Sequence, residues 1–226
     1  GEITLFEYDP DSILTILEPY IPLAEEIILA ENPSLPQYFG AKTIIDLSSQ
    51  NIEQFLNLSS ELYEKMVAKK IVDPANYELS AEEQNTIIRN FCESRLNEIK
   101  RLPRGNIIYE FILKVVEFCK VETFTDTYSY RAVTGFAVAE ENSGKYGNDG
   151  FWFQEDENEP LSLILKDCLA YNLFEKCVTI QGKKDQHWSV FYLNRWICAY
   201  AHLPLSYGGW RKLHLSKLNK WILASK

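Results

Sequence analysis

The sequence predicts an α+β fold that is mostly α, with a helical bundle followed by a smaller unit of helix and β-hairpin. Three observations predict it. Apolar residues recur at helical spacing through much of the first 121 positions. After Tyr130 the pattern changes to short β-type runs separated by Gly-containing polar stretches. The chain has 226 residues, 46% hydrophobic and 24% charged, which gives ample length for a buried core and excludes wholesale disorder.

The elements follow in order. Gly1-Glu2, with no methionine, reads as a remnant ahead of a piece of a longer protein. Asp9-Pro10 opens a first helix, and Pro19 and Pro22 divide the next stretch into short helices at 11–18 and 22–30. Asn32-Pro33 and Leu35-Pro36 form a loop. Ile52, Phe55, Leu56, Leu62, Tyr63, Met66 and Val67 then follow helical spacing over 51–69, with Ser48 or Ser49 as the cap. Ser80-Ala81-Glu82-Glu83 is a capping box ahead of a helix whose stripe is Ile87, Ile88, Phe91, Cys92, Leu96 and Ile99. Lys100-Arg101-Leu102-Pro103-Arg104-Gly105 marks the boundary between units at 1–104 and 105–226. A further helix over about 106–121 carries Ile107, Ile108, Phe111, Ile112, Val115, Val116 and Cys119.

Beyond Tyr130, Val133–Ala139 and Phe151-Trp152-Phe153 suit strands, with a polar loop over 140–150 between them. A helix over about 161–175 is apolar along most of its length, leaving mainly Ser162, Lys166, Tyr171 and Asn172 to face a ligand. Runs at 177–180 and 187–193 flank Gln181-Gly182-Lys183-Lys184-Asp185-Gln186, which spells a hairpin with a basic tip. A helix leading straight into such a hairpin is the end of a winged helix-turn-helix, whose wing touches nucleic-acid backbone. After the turn Leu203–Trp210, Ser216 caps a last short helix to about Ala224.

Charge is distributed unevenly. The chain has 23 Lys and Arg, 32 Asp and Glu, and a net charge of −9. Residues 161–226 contain ten basic and three acidic side chains, whereas 1–160 contain 13 basic and 29 acidic ones. A basic segment attached to an acidic body is the pattern of a phosphate-binding surface. The same pattern also arises when two oppositely charged segments pack together. The candidate DNA contacts are Lys183, Lys184 and His187 at the wing and Lys166 on the preceding helix. Arg195, Arg211, Lys212 and Lys217 complete the set.

Motifs for chemistry are missing. Asn142-Ser143-Gly144-Lys145-Tyr146 lacks both the leading glycine and the hydroxyl of a phosphate-binding loop, and neither GxGxxG nor GxSxG occurs. His187, His202 and His214 have no zinc spacing, and the five cysteines show no CxxC, so no metal, disulfide framework or cofactor is expected. Cys198 and His202 lie four apart, a spacing open either to a nucleophilic pair or to an inert buried thiol. Glu110 and Glu117, seven apart, read as a solvated helix stripe. The free cysteines and the lack of a signal peptide or a stretch of roughly 20 apolar residues point to a cytoplasmic protein with no membrane segment.

Ile45-Asp46-Leu47-Ser48-Ser49-Gln50-Asn51-Ile52-Glu53-Gln54-Phe55-Leu56 resembles the "sensor-2" region of AAA+ ATPase lid domains, where a small-residue turn opens a helix. The order of a helical lid and then a winged-helix unit is similar to origin-recognition-type AAA+ and STAND-type NTPases. Glu53 stands where that pattern has its nucleotide-sensing arginine, and Ile52 replaces its proline; a carboxylate there repels a triphosphate. The resemblance implies a lid-like domain at 1–104, a winged-helix-like domain at 105–226 and an NTPase core outside this sequence. The expected function is that of a non-catalytic regulatory fragment binding DNA. The alternatives are a module that docks on a protein partner or on the NTPase core, and an enzyme of unrecognised type.

Overall fold

The computed structural model describes residues 21–32, 34–125, 132–139, 160–180, 187–207 and 209–223. The first expected helix at 11–18, the strand at 151–153, the loop at 140–150 and the hairpin tip at 181–186 lie outside them.

Helix α1 (Ile21–Glu31) leads to α2 (Gly40–Ser48) and α3 (Ile52–Val72). The cap of α3 differs from the sequence expectation. The Ser48 hydroxyl donates to the Ile45 carbonyl at 2.6 Å and the Ser49 hydroxyl to Asn194 Oδ1 at 3.2 Å. Ser49 and Gln50 take left-handed conformations with φ of 46° and 61° and turn the chain. Asn51 Oδ1 then accepts from the Gln54 amide at 3.2 Å, so Asn51 is the cap.

Helix α4 (Ala81–Glu98) opens with the expected capping box: Ser80 Oγ accepts from the Glu83 amide, and Glu83 accepts from the Ser80 amide. A single 3-10 turn (Ile99–Arg101) and left-handed Arg104 join it to α5 (Gly105–Thr123). Gly105 packs so closely on the Ile99 carbonyl and the Lys100 backbone that a Cβ has no room. Along α5, Ile108, Phe111, Ile112, Val115, Val116 and Cys119 are buried, which matches the expected stripe.

Strand β1 (Val133–Ala139) precedes α6 (Pro160–Ala170), β2 (Phe174–Ile180), β3 (His187–Leu193), α7 (Arg195–Ala201), β4 (Gly209–Lys212) and α8 (Leu215–Leu223). Helix α6 stops five residues before its expected end. Asn172 adopts φ of 55°, its amide donates to Leu169, and the Leu173 amide reaches back to Cys168 at 2.8 Å. That left-handed closure releases Leu173 and Phe174 to the turn and to β2. Ser162, expected to face outward, is fully buried on α6. Ser216 lies inside the first turn of α8 rather than capping it.

The sheet has the order β2-β3-β1-β4. The β2–β3 hairpin pairs antiparallel with Cys177 opposite Val190, β3 pairs antiparallel with β1, and β4 runs parallel to β1. One apolar cluster joins α2, α3 and α4 to α5, the inner sheet face and α8, so the core is continuous across Arg104. Phe136 stacks on Phe191 at 5.3 Å, and Phe174 meets both edge-on; such pairs contribute about 0.5–1.5 kcal/mol each beyond burial. The outer sheet face holds a second cluster of Ala137, Trp188 and Val190, flanked by Tyr192 and Trp210.

Candidate nucleic-acid interface

The period-two alternation of a strand sorts the cations of the carboxy-terminal segment. On β4, Trp210 lies 6.2 Å from Trp188, and the Lys212 ammonium sits 4.3 Å above the Trp188 ring, both on the outer sheet face. Arg211, between them, points the other way. Its Nε donates to Glu122 of α5 at 3.0 Å and its guanidinium also reaches the Trp210 carbonyl. Lys212 is exposed while Arg211 is half-buried in an ion pair.

Arg195 is similarly committed within the fold. It follows Asn194, whose Oδ1 accepts from the Trp196 amide. The Arg195 Nε donates to the Leu205 carbonyl at 3.0 Å, a second nitrogen reaches the Asp46 carbonyl, and the guanidinium lies 4.3 Å over Tyr207. Tyr207 in turn stacks on Tyr192 at 5.3 Å, and its hydroxyl donates to Glu175 at 2.8 Å. Arg195 therefore clasps α2, α7 and the loop after α7 together. Each of the two guanidinium groups uses Nε and one terminal nitrogen inside the fold, so both are held in place by internal bonds even though part of the five-donor fork is left over.

Lys217, on α8, is exposed, and its ammonium lies 5.0 Å from the centre of the Phe118 ring and 5.5 Å from that of Trp221. His214 and Lys220 are exposed on the same segment. Lys166 is half-buried on α6, next to Asp167, which accepts two hydrogen bonds from Arg104 at 2.7 and 2.9 Å. His187 opens β3 and is half-buried. Lys183 and Lys184 belong to the connection outside the described residues. Of the eight expected contacts, Lys212 and Lys217 are exposed cations, Lys166 and His187 are half-buried, and Arg195 and Arg211 hold the fold together.

Among the described residues the tryptophans serve packing. Trp196 is fully buried, Trp188 nearly so, and Trp221 lies against Phe111 and Phe118. The Cys198–His202 spacing forms no nucleophilic pair. The Cys198 thiol is fully buried and directed at the Leu193 carbonyl at 3.8 Å, and burial pushes its pKa well up, away from thiolate. Among the described residues no cluster of three or more His, Cys, Asp or Glu side chains suits a metal, and no helix is long and apolar enough to cross a membrane.

The sequence did not mark Lys212 as aromatic-supported, because its partner Trp188 lies 24 positions away and meets it only through the β1–β4 and β1–β3 pairings. A second unanticipated surface lies on α3. Ile52, Leu56, Tyr63, Val67 and Ile71 follow one another around the helix as an exposed stripe, with Ile52 70% and Ile71 78% exposed. Much of the apolar periodicity that marks this helix faces outward, while Gln54, Leu58 and Leu62 make the buried face.

A family model described as ORC-CDC6-like matches residues 22–213. No curated protein and no solved structure matches.

Proposed function

The chain belongs to the ORC-CDC6-like family, and from that premise we propose that it is a non-catalytic, DNA-binding portion of a larger nucleotide-hydrolysing protein. In this reading the helical lid-like unit is 1–104 and the winged-helix-like unit is 105–226. The observation that carries the DNA reading is the arrangement of α5, β1, α6 and the β2–β3 hairpin, with β3 paired to β1. It supports a winged helix whose connecting sequence 181–186 contains Lys183 and Lys184. Helix α6 buries Leu161, Ser162, Ile164, Leu165 and Cys168, so little of it is free for reading bases. Phosphate contacts by Lys183, Lys184, Lys212 and Lys217 then supply the affinity, with low sequence preference. The five free cysteines are in keeping with a reducing cytoplasm.

The test is titration of a short duplex at low salt with wild type and with Lys183→Glu/Lys184→Glu. Wild-type binding weakened in the double variant is expected. Binding that survives the reversal removes the wing's role, and no binding at low salt overturns the DNA reading.

One observation favours a second reading. The exposed stripe on α3 suits docking on a protein partner or on an NTPase core, since apolar surface left in water is a common mark of an interface. That reading expects a partner-dependent complex insensitive to salt and disrupted by Leu56→Asp, with no shift of duplex DNA.

A further inference from the structure

Helices α4 and α5 and the end of α7 converge on a cavity of about 620 Å3, the size range of small-molecule sites. Three basic side chains meet there from three elements: Arg89 of α4, Lys120 of α5 and His202 at the carboxyl end of α7. Leu113, Val116 and Tyr200 contribute apolar and aromatic wall.

Two carboxylates, Glu93 and Glu117, also line the cavity, but among the described residues neither forms an ion pair with its basic groups. Among the described residues Arg89 Nε is buried with no acceptor, and neither Arg89 nor Lys120 forms an ion pair. Glu117 lines the cavity but pairs with Lys114 at 3.2 Å, and Glu93 is exposed at its edge. Burial and the neighbouring Arg89 hold the Lys120 ammonium below its usual range. Burial, then Arg89 and Lys120, lower His202 to about 4. Both groups report a partly desolvated pocket in which Arg89 and Lys120 lie close enough to act on His202, and there an unmatched donor is costly.

We propose that this cavity binds a small phosphate monoester bearing an apolar or aromatic body. The phosphoryl oxygens accept from the Arg89 guanidinium and the Lys120 ammonium and draw a proton onto His202. The body lies against Tyr200, Leu113 and Val116. A tetrahedral dianion suits donors arriving from separate helices better than a planar carboxylate, which offers only two oxygens. None of the proposed DNA contacts lines the cavity, so this site stands or fails independently of the DNA reading.

Isothermal titration of the DNA-free chain with phenyl phosphate, inorganic phosphate and benzoate tests the proposal. Phenyl phosphate is expected to bind most tightly at neutral pH and low salt. Arg89→Gln and Lys120→Gln should each weaken it about tenfold or more, as expected for losing a charge-assisted hydrogen bond. Binding should also take up a proton, read from the dependence of the heat on buffer ionisation, and His202→Asn should abolish that uptake. The variants remove no bond the fold uses, and ligand-induced shifts of the His202 ring resonances in the wild type locate the site without any variant. Absence of saturable phenyl phosphate binding overturns the proposal. So does benzoate binding equally well, affinity unchanged in both Gln variants, or an unmoved His202 ring.

Discussion

Tyr38 places a hydroxyl at the centre of the molecule, where it donates to the Leu203 carbonyl at 2.8 Å. Its amide and that of Gln37 both donate to Asn85 Oδ1, so one residue ties the segment before α2 to α4 and to the end of α7. Burial raises its pKa well above that of a free tyrosine, so it acts as a donor throughout the accessible pH range. Tyr38→Phe leaves the Leu203 carbonyl without that partner and should cost about 1–3 kcal/mol in urea unfolding at unchanged m-value. His202 makes stability depend on pH. It protonates near pH 6.5 when unfolded and only near about 4 in the fold, held down by burial and by Arg89 and Lys120. Between those values the unfolded chain binds more protons, so the contribution is fully present above pH 6.5 and is lost as pH falls toward 4. His202→Asn, which tolerates the left-handed backbone at φ of 56°, should flatten that part of the pH profile. A profile identical to the wild type contradicts this assignment. None of these roles was legible in the sequence, because Tyr38 and Leu203 are 165 positions apart and Asp46 and Arg195 are 149 apart. Only the fold brings them together.

Helices were more legible than their ends. The stripe of α5 and the capping box of α4 stand as the spacing predicts, since both depend on residues within one or two turns of each other. The cap of α3 and the end of α6 were misplaced because several residues nearby suited the role. Ser48, Ser49 and Asn51 can all cap a helix, and a local bond to the Ile45 carbonyl and a tertiary bond to Asn194 engage the two serines, leaving Asn51. Asn51→Ala should therefore cost about 1 kcal/mol while Ser48→Ala leaves the start of α3 intact, as hydrogen-exchange protection of its first turn will report. At the other end, Leu173 and Phe174 prolong the helical pattern of α6, and left-handed Asn172 overrides it. Gly105 has a different role, since its missing side chain admits the Ile99 carbonyl and Lys100 backbone at the start of α5. Gly105→Ala should cost about 1–3 kcal/mol, because backbone cannot yield as a flexible side chain can. A chemical-denaturation midpoint equal to the wild type would argue against that close packing.

At the scale of the molecule, the sequence indicated a mostly helical α+β chain and a likeness to origin-recognition-type proteins, and both hold. Periodicity made the first visible, while the order of a small-residue turn, a long helix and a helix-hairpin unit made the second visible. The charge split was real but did not show how its cations are used. Arg211 neutralises Glu122, Arg104 of the acidic segment reaches across to Asp167, and Arg195 serves backbone carbonyls. Packing of oppositely charged segments thus absorbs part of the basic surface, while Lys212 and Lys217 stay exposed; with Lys183 and Lys184 of the hairpin connection they are the proposed DNA contacts. The most direct measurement is duplex affinity as a function of salt, for the wild type and for Lys183→Glu/Lys184→Glu/Lys212→Glu/Lys217→Glu. If four lysines contact phosphates, the plot of log affinity against log salt should lose about 0.9 in slope magnitude for each contact removed, and Arg195→Lys should leave the slope unchanged. Equal slopes for the wild type and the fourfold variant would contradict the assignment of DNA binding to these residues.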